Sequence, residues 1–88
     1  MVEKEVRIVN KLGLHARPAA MLVQKASQFE SEIRLKRENL EVNAKSIMGV
    51  MMLAAEMGSV IFVIADGPDE EKAARAIVQV IKSRFGEE

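Results

Sequence analysis

The apolar residues of this chain change their period along its length, and that switching restricts the folds open to it. Val2, Lys4, Val6 and Ile8 share one parity of residues 2–9, and Glu3, Glu5, Arg7 and Val9 the other, the period-two pattern of a half-buried strand. From Ala16 the period becomes helical, with Ala16, Ala19, Leu22, Val23 and Ala26 at i, i+3, i+4 spacing to about Gln28. Between the two, Asn10-Lys11-Leu12-Gly13 reads as a loop. Pro18 fits a helix only in its first turn, where a missing N–H is not needed, so the helix must begin at His15 or Ala16.

Period two returns over residues 31–37, where Ile33 and Leu35 alternate with Glu32, Arg34 and Lys36, and over residues 40–44, where Leu40, Val42 and Ala44 alternate with Glu41 and Asn43. Glu38-Asn39 makes a two-residue connection, and Asn is one of the few non-glycine residues that accepts the left-handed backbone a tight hairpin demands. Ser46 and Gly58 bracket a predicted helix of about ten residues starting at Ile47, as N-cap and C-terminal glycine. The continuous run Val60 to Ala65 predicts an interior strand buried on both faces. Asp69 caps a last helix with an acidic first turn, in which Ala74, Ile77, Val78, Ile81 and Phe85 recur, with Lys82 and Arg84 in its final turn before Gly86. The order strand, helix, strand, strand, helix, strand, helix predicts an α+β fold, a four-stranded, mainly antiparallel sheet with three helices on one face, as a single domain over residues 1–88.

Composition removes several function classes. With no cysteine and one histidine, disulfide frameworks, thiol catalysis and a zinc site are not expected. Thirteen basic and thirteen acidic residues cancel, so no global field draws nucleic acid or anionic lipid, and any anion site must be local. The absence of Trp and Tyr argues against base-stacking platforms. The first five residues carry charge from Glu3 onward, and the longest apolar stretch, Val60 to Ala65, is far too short to span a bilayer. A cytoplasmic protein is expected, without membrane insertion, direct nucleic-acid contact, metal or cofactor.

The chemistry gathers at Leu14-His15-Ala16-Arg17-Pro18-Ala19. A helix N-terminus leaves backbone N–H groups unpaired and partially positive, a ready anion site. The N–H groups of Ala16 and Arg17 and the Arg17 guanidinium are donors suited to phosphate. Imidazole is nucleophilic in its neutral form, which is populated near neutral pH. Two readings of His15 follow: a nucleophile that accepts a phosphoryl group, or a capping or surface residue without a role. The chain has no Gly-rich phosphate loop with a lysine, no carboxylate cluster for magnesium and no second histidine, so it could hold a phosphoryl group but not extract one from a nucleotide, and an autonomous hydrolase is not supported.

The second helix carries two apolar stripes, Val50, Leu53, Ala54 and Met57 beside Met48, Met51, Met52 and Ala55, where a helix lying on a sheet needs one. Either it is buried on two sides or its adaptable methionines form a docking patch. Ser46 is sufficient as an N-cap, or is a phosphorylation site where a dianion meets a helix N-terminus, with Lys45 beside it to screen the charge. Glu30, Glu32, Lys36 and Arg37 are read as solvated faces.

Two segments, Leu14-His15-Ala16-Arg17-Pro18-Ala19 and Asn43-Ala44-Lys45-Ser46-Ile47-Met48-Gly49-Val50-Met51, resemble the signatures of the HPr family, histidine-containing phosphocarriers of the bacterial phosphoenolpyruvate-dependent sugar phosphotransferase system. The resemblance extends over the whole chain in length and element order. It implies an open-faced β-sandwich in which His15 accepts a phosphoryl group on Nδ1 from phospho-enzyme I and passes it to enzyme IIA domains, a carrier and not an enzyme. It further implies that Arg17 stabilises the phosphohistidine and that Ile47, Met48 and Met51 belong to the partner-docking surface of a monomer. The Ser46 context resembles the Gram-positive type, in which an HPr kinase/phosphorylase modifies the serine and a catabolite-control transcription regulator uses it; a mainly regulatory role is the alternative. His15 separates the chain from the paralogue Crh, in which the resemblance implies glutamine here. Leu12 stands where a small hydroxyl residue is common, and Glu38-Asn39 where Asn-Gly often forms the turn.

Overall fold

In a computed structural model that describes residues 1–86, the alternation of periods becomes β1 (Val2–Arg7), α1 (Ala16–Ala26), β2 (Glu32–Arg37), β3 (Leu40–Asn43), α2 (Ile47–Met52), β4 (Val60–Asp66) and α3 (Glu70–Lys82), then a single 3-10 turn at Arg84–Gly86. The strands form one sheet in the order β1-β4-β2-β3, and every pairing is antiparallel. Val6 lies opposite Ile61, and Val63 lies between Lys4 and Leu35, so alternate residues of three strands share one face. Val6, Ile33, Leu35, Ile61, Val63 and Ala65 on that face are buried. There α3 packs across β1 and β4, α2 lies against β3, and α1 packs on both other helices. Leu22, Val50, Ile77 and Ile81, fully enclosed, close the core from the helix side.

The other face is open, which corrects the expectation that β4 is buried on both sides: Val60, Phe62 and Ile64 alternate as half-buried residues with the buried ones. The register shows what shields them. Phe62 sits between Glu5 and Lys36, and Ile64 between Glu3 and Arg34, so a charged side chain flanks each apolar one on either side. Arg34 is held over this face by Glu32 at 2.8 Å and Glu41 at 3.0 Å.

Other departures occur where backbone geometry overrides pattern. The chain leaves α1 at Ala26, before Gln28, because the Gln28 and Phe29 N–H groups turn to the carbonyls three residues back. In the β2–β3 hairpin the left-handed residue is Glu38, at φ +54°, and not Asn39. Helix α2 has six residues instead of ten: the Ala54 N–H donates to the Met51 carbonyl and Ala54 itself turns left-handed at φ +50°, so Gly58 belongs to the following loop. Leu53 and Ala55 are buried while Ala54 and Met57 are exposed, so the first predicted stripe ends at Leu53. Asp69 precedes α3 without capping it; its carboxylate accepts instead from the N–H groups of Glu30 and Ser31 and from the Ser31 hydroxyl. Those donors, the Ser31 hydroxyl first, hold the Asp69 carboxyl below the usual carboxylate range. Arg84 and Phe85 lie beyond α3, both left-handed, where Phe85 folds back to be buried. Among the described residues no helix is long and apolar enough to cross a membrane.

Candidate functional site

His15 is the N-cap residue of α1, extended at φ −93°, ψ −166°, and its carbonyl already accepts the first helical hydrogen bond, from Ala19 at 2.9 Å. Its side chain makes no capping bond and is exposed. The next two N–H groups, of Ala16 and Arg17, belong to the helix's first turn and have no acceptor within it, and Pro18 contributes none. The Arg17 side chain is exposed as well, and among the described residues neither it nor the His15 ring has a hydrogen-bond or ion-pair partner. Helix α1 has no acidic residue in its first turn, whereas α3 carries Glu70 and Glu71 there. Among the described residues, therefore, none supplies an anion to the positive end of α1.

The loop that delivers His15 is fixed by the segment after α2. The Leu14 N–H donates to the Ala55 carbonyl at 2.9 Å, and the Asn10 side-chain amide donates to the Gly13 carbonyl at 3.0 Å. Leu14 is anchored in the core at 3% exposure, so the neighbouring His15 is directed outward from a rigid base. Gly13 turns left-handed at φ +67°, and its backbone passes so near the Ala55 carbonyl that a Cβ would lie 2.3 Å from that oxygen. Leu12, Leu14, His15, Met51, Ala54 and Ala55 line a shallow depression of about 190 Å³ together with Glu56. His15 and the predicted docking residue Met51 thus open onto one surface.

Of the predicted patch, Ile47, Met48 and Met51 are 45%, 76% and 41% exposed, and Met52 is exposed beside them, so the methionines of the second stripe face outward, while its last member, Ala55, is buried. Ser46 caps α2, accepting from the Gly49 N–H at 3.1 Å, and is half-buried. Lys45 does not turn its charge to Ser46; its ammonium donates to the Phe29 carbonyl at 2.8 Å. Arg37 is not a solvated side chain either. Its guanidinium reaches the carbonyls that follow α2, of the C-cap residue Leu53 at 3.0 Å and of Ala54 at 3.5 Å. Nothing in the local pattern marks Arg37 or Ala55, because each acts on a segment distant in sequence; Gly13 alone gave a local signal, as a turn residue. Among the described residues no group of three or more potential metal-ligating side chains occurs.

Comparison with known proteins agrees with this geometry. Residues 2–83 match the family described as "PTS HPr component phosphorylation site". The chain is 52% identical over 88 residues to the phosphocarrier protein HPr of Treponema pallidum, covering all of both chains. It is 50% identical over 82 residues to the HPr-like protein Crh of Halalkalibacterium halodurans, covering 93% of this chain and 98% of that one. A crystal structure of HPr-C-His from Thermoanaerobacter tengcongensis superposes with a TM-score of 0.96 at 53% identity, covering 100% of this chain and 99% of that one. A crystal structure of an HPr dimer from the same organism superposes at 0.79, with 53% identity, covering 99% of this chain and 100% of that one.

Proposed function

Since the chain belongs to the HPr family, we propose that it is a phosphocarrier whose single HPr domain, residues 1–88, holds a phosphoryl group on Nδ1 of His15. The observation that carries this reading is an exposed imidazole, with no hydrogen-bond or ion-pair partner among the described residues, at the start of a helix whose first turn lacks acid and offers the Ala16 and Arg17 N–H groups. Nδ1 lies next to the ring's attachment to the backbone, so a phosphoryl group there stays near those donors; on Nε2 it would stand away from them. Phospho-enzyme I gives up its bond to phosphorus as the Nδ1 bond forms, and the Arg17 guanidinium swings onto the phosphoryl oxygens. The bond then breaks in favour of an enzyme IIA domain. The chain supplies a positioned nucleophile and charge stabilisation, and the partners supply the remaining chemistry, so it is a carrier and not an enzyme.

Ile47, Met48 and Met51 are the surface on which enzyme I and the IIA domains dock, with the chain acting as a monomer in the cytoplasm. Ser46 supports a second, regulatory reading: it precedes Ile47 and Met48 directly, so phosphorylation by an HPr kinase/phosphorylase places a dianion at the rim of the patch, where a catabolite-control transcription regulator would read it. Incubation with enzyme I and phosphoenolpyruvate tests the carrier reading. An acid-labile adduct of about 80 Da, lost in His15→Ala, is expected; an unmodified intact protein overturns the reading. Labelling of Ser46 by the kinase tests the regulatory one, and absence of label removes it.

A further inference from the structure

We propose that Arg37, on a strand remote from His15 in sequence, is a positioning residue for phosphoryl transfer. This rests on the carrier reading. The contacts form a chain of three links. Arg37 Nη1 donates to the carbonyls of Leu53 and Ala54, the C-cap of α2 and the residue after it. The next residue, Ala55, presents its carbonyl to the Leu14 N–H and to the close approach of Gly13. Leu14 immediately precedes His15, and Ala54 and Ala55 line the depression onto which His15 opens.

The middle link needs holding. Ala54 is left-handed at φ +50° with an ordinary Cβ, a conformation that persists only where surroundings impose it. Helix α2 has no basic residue in its last turn to satisfy its carbonyl end. Arg37 supplies that cation from β2, half-buried, with the single nitrogen Nη1 donating to two adjacent carbonyls. Removing it frees the Leu53–Ala55 segment to relax toward ordinary backbone angles, and the Ala55 carbonyl moves with it. The His15 loop then loses its fixed acceptor. Arg37 touches neither the phosphoryl group nor the imidazole; it sets where the imidazole stands, and it ties the docking patch on α2 to the nucleophile as one body.

The test compares wild type, Arg37→Ala and Arg37→Lys in two measurements at a temperature where all three are folded. In Arg37→Ala, transfer from phospho-enzyme I should slow by about tenfold, within the cost of an ångström-scale misplacement. Amide exchange of Leu14 should accelerate by a similar factor beyond any change in globally protected core amides. Arg37→Lys, which keeps a cation able to donate to either carbonyl, should recover most of both. Wild-type transfer by Arg37→Ala overturns the proposal, as does Leu14 exchange that follows global stability alone. If Arg37→Ala does not fold, Arg37→Gln replaces it, and wild-type transfer in that variant overturns the proposal equally. Failure of wild type to accept phosphate overturns the carrier reading instead, while Leu14 exchange still reports on Arg37.

Discussion

Replacing Gly13 with alanine should be far more damaging than replacing Gly58, although both glycines are left-handed. At Gly13 a Cβ would lie 2.3 Å from the Ala55 carbonyl oxygen and 3.0 Å from the Glu56 Cα, whereas at Gly58, φ +94°, it would meet nothing within 4 Å. Both variants carry the left-handed penalty of about 1–2 kcal/mol. Gly13→Ala must also move backbone apart, an overpacking cost of about 1–3 kcal/mol. In doing so it breaks the Leu14 to Ala55 hydrogen bond, worth about 1 kcal/mol. Its total, roughly 3–6 kcal/mol, is a large part of the stability of a small domain. At about 4–8 °C per kcal/mol for this size, Gly13→Ala should lower the Tm by roughly 15 °C or more. Gly58→Ala, with the left-handed penalty alone, should lower it by about 4–16 °C, less than Gly13→Ala by the overpacking and hydrogen-bond costs. Thermal denaturation of the pair reads the difference, and equal losses would refute the claim that Gly13 is required by close approach. Because His15 follows two residues later, transfer to the surviving folded fraction of Gly13→Ala should also slow by up to about a hundredfold.

The Arg17 side chain makes no hydrogen bond or ion pair among the described residues, so Arg17→Ala should leave the Tm nearly unchanged while slowing transfer by about ten- to a hundredfold, the loss of a charge-assisted hydrogen bond of roughly 1.5–3 kcal/mol; unchanged kinetics would show that the backbone donors suffice. The folded-state Asp69 carboxyl titrates below its ordinary range, so the stability it contributes is present above that range and lost as pH falls through the lowered value. The Tm difference between wild type and Asp69→Asn should accordingly be widest near neutral pH and narrow in acid, and a difference that widens in acid contradicts the assignment. Glu38→Gly should raise stability by about 0.5–1 kcal/mol by relieving the left-handed turn residue, measured by denaturant unfolding, whereas Asn39→Gly should not.

Much of this architecture is legible in the chain because its determinants are local. The parity of Val6 and Ile8, the placement of Pro18 in the first turn of α1 and the Ser46 cap each depend on neighbours within a few residues, and each stands where its pattern puts it. The shortened α2 was not legible, because the apolar pattern continues past the point where Ala54 turns left-handed, and the Arg37 contact there comes from a strand distant in sequence. The half-exposure of Phe62 and Ile64 depends on which strands flank β4, a matter of topology. Within the site, His15, Arg17 and Ser46 announce themselves by residue type and position, while Arg37 and Ala55 are recruited across the fold and leave no local trace. Asp69 shows the reverse case: its sequence position suits a cap, yet the N–H groups of Glu30 and Ser31 and the Ser31 hydroxyl claim the carboxylate.

The central claim is that the phosphoryl group resides on Nδ1 of His15, over the open end of α1. Long-range proton–nitrogen correlation of the imidazole, recorded before and after phosphorylation by enzyme I and phosphoenolpyruvate, tests it directly. Phosphorylation at Nδ1 of His15 is expected, together with shifts of the Ala16 and Arg17 amide protons as they take the phosphoryl oxygens. A bond at Nε2, a modified serine, or Ala16 and Arg17 amides that do not respond would contradict it.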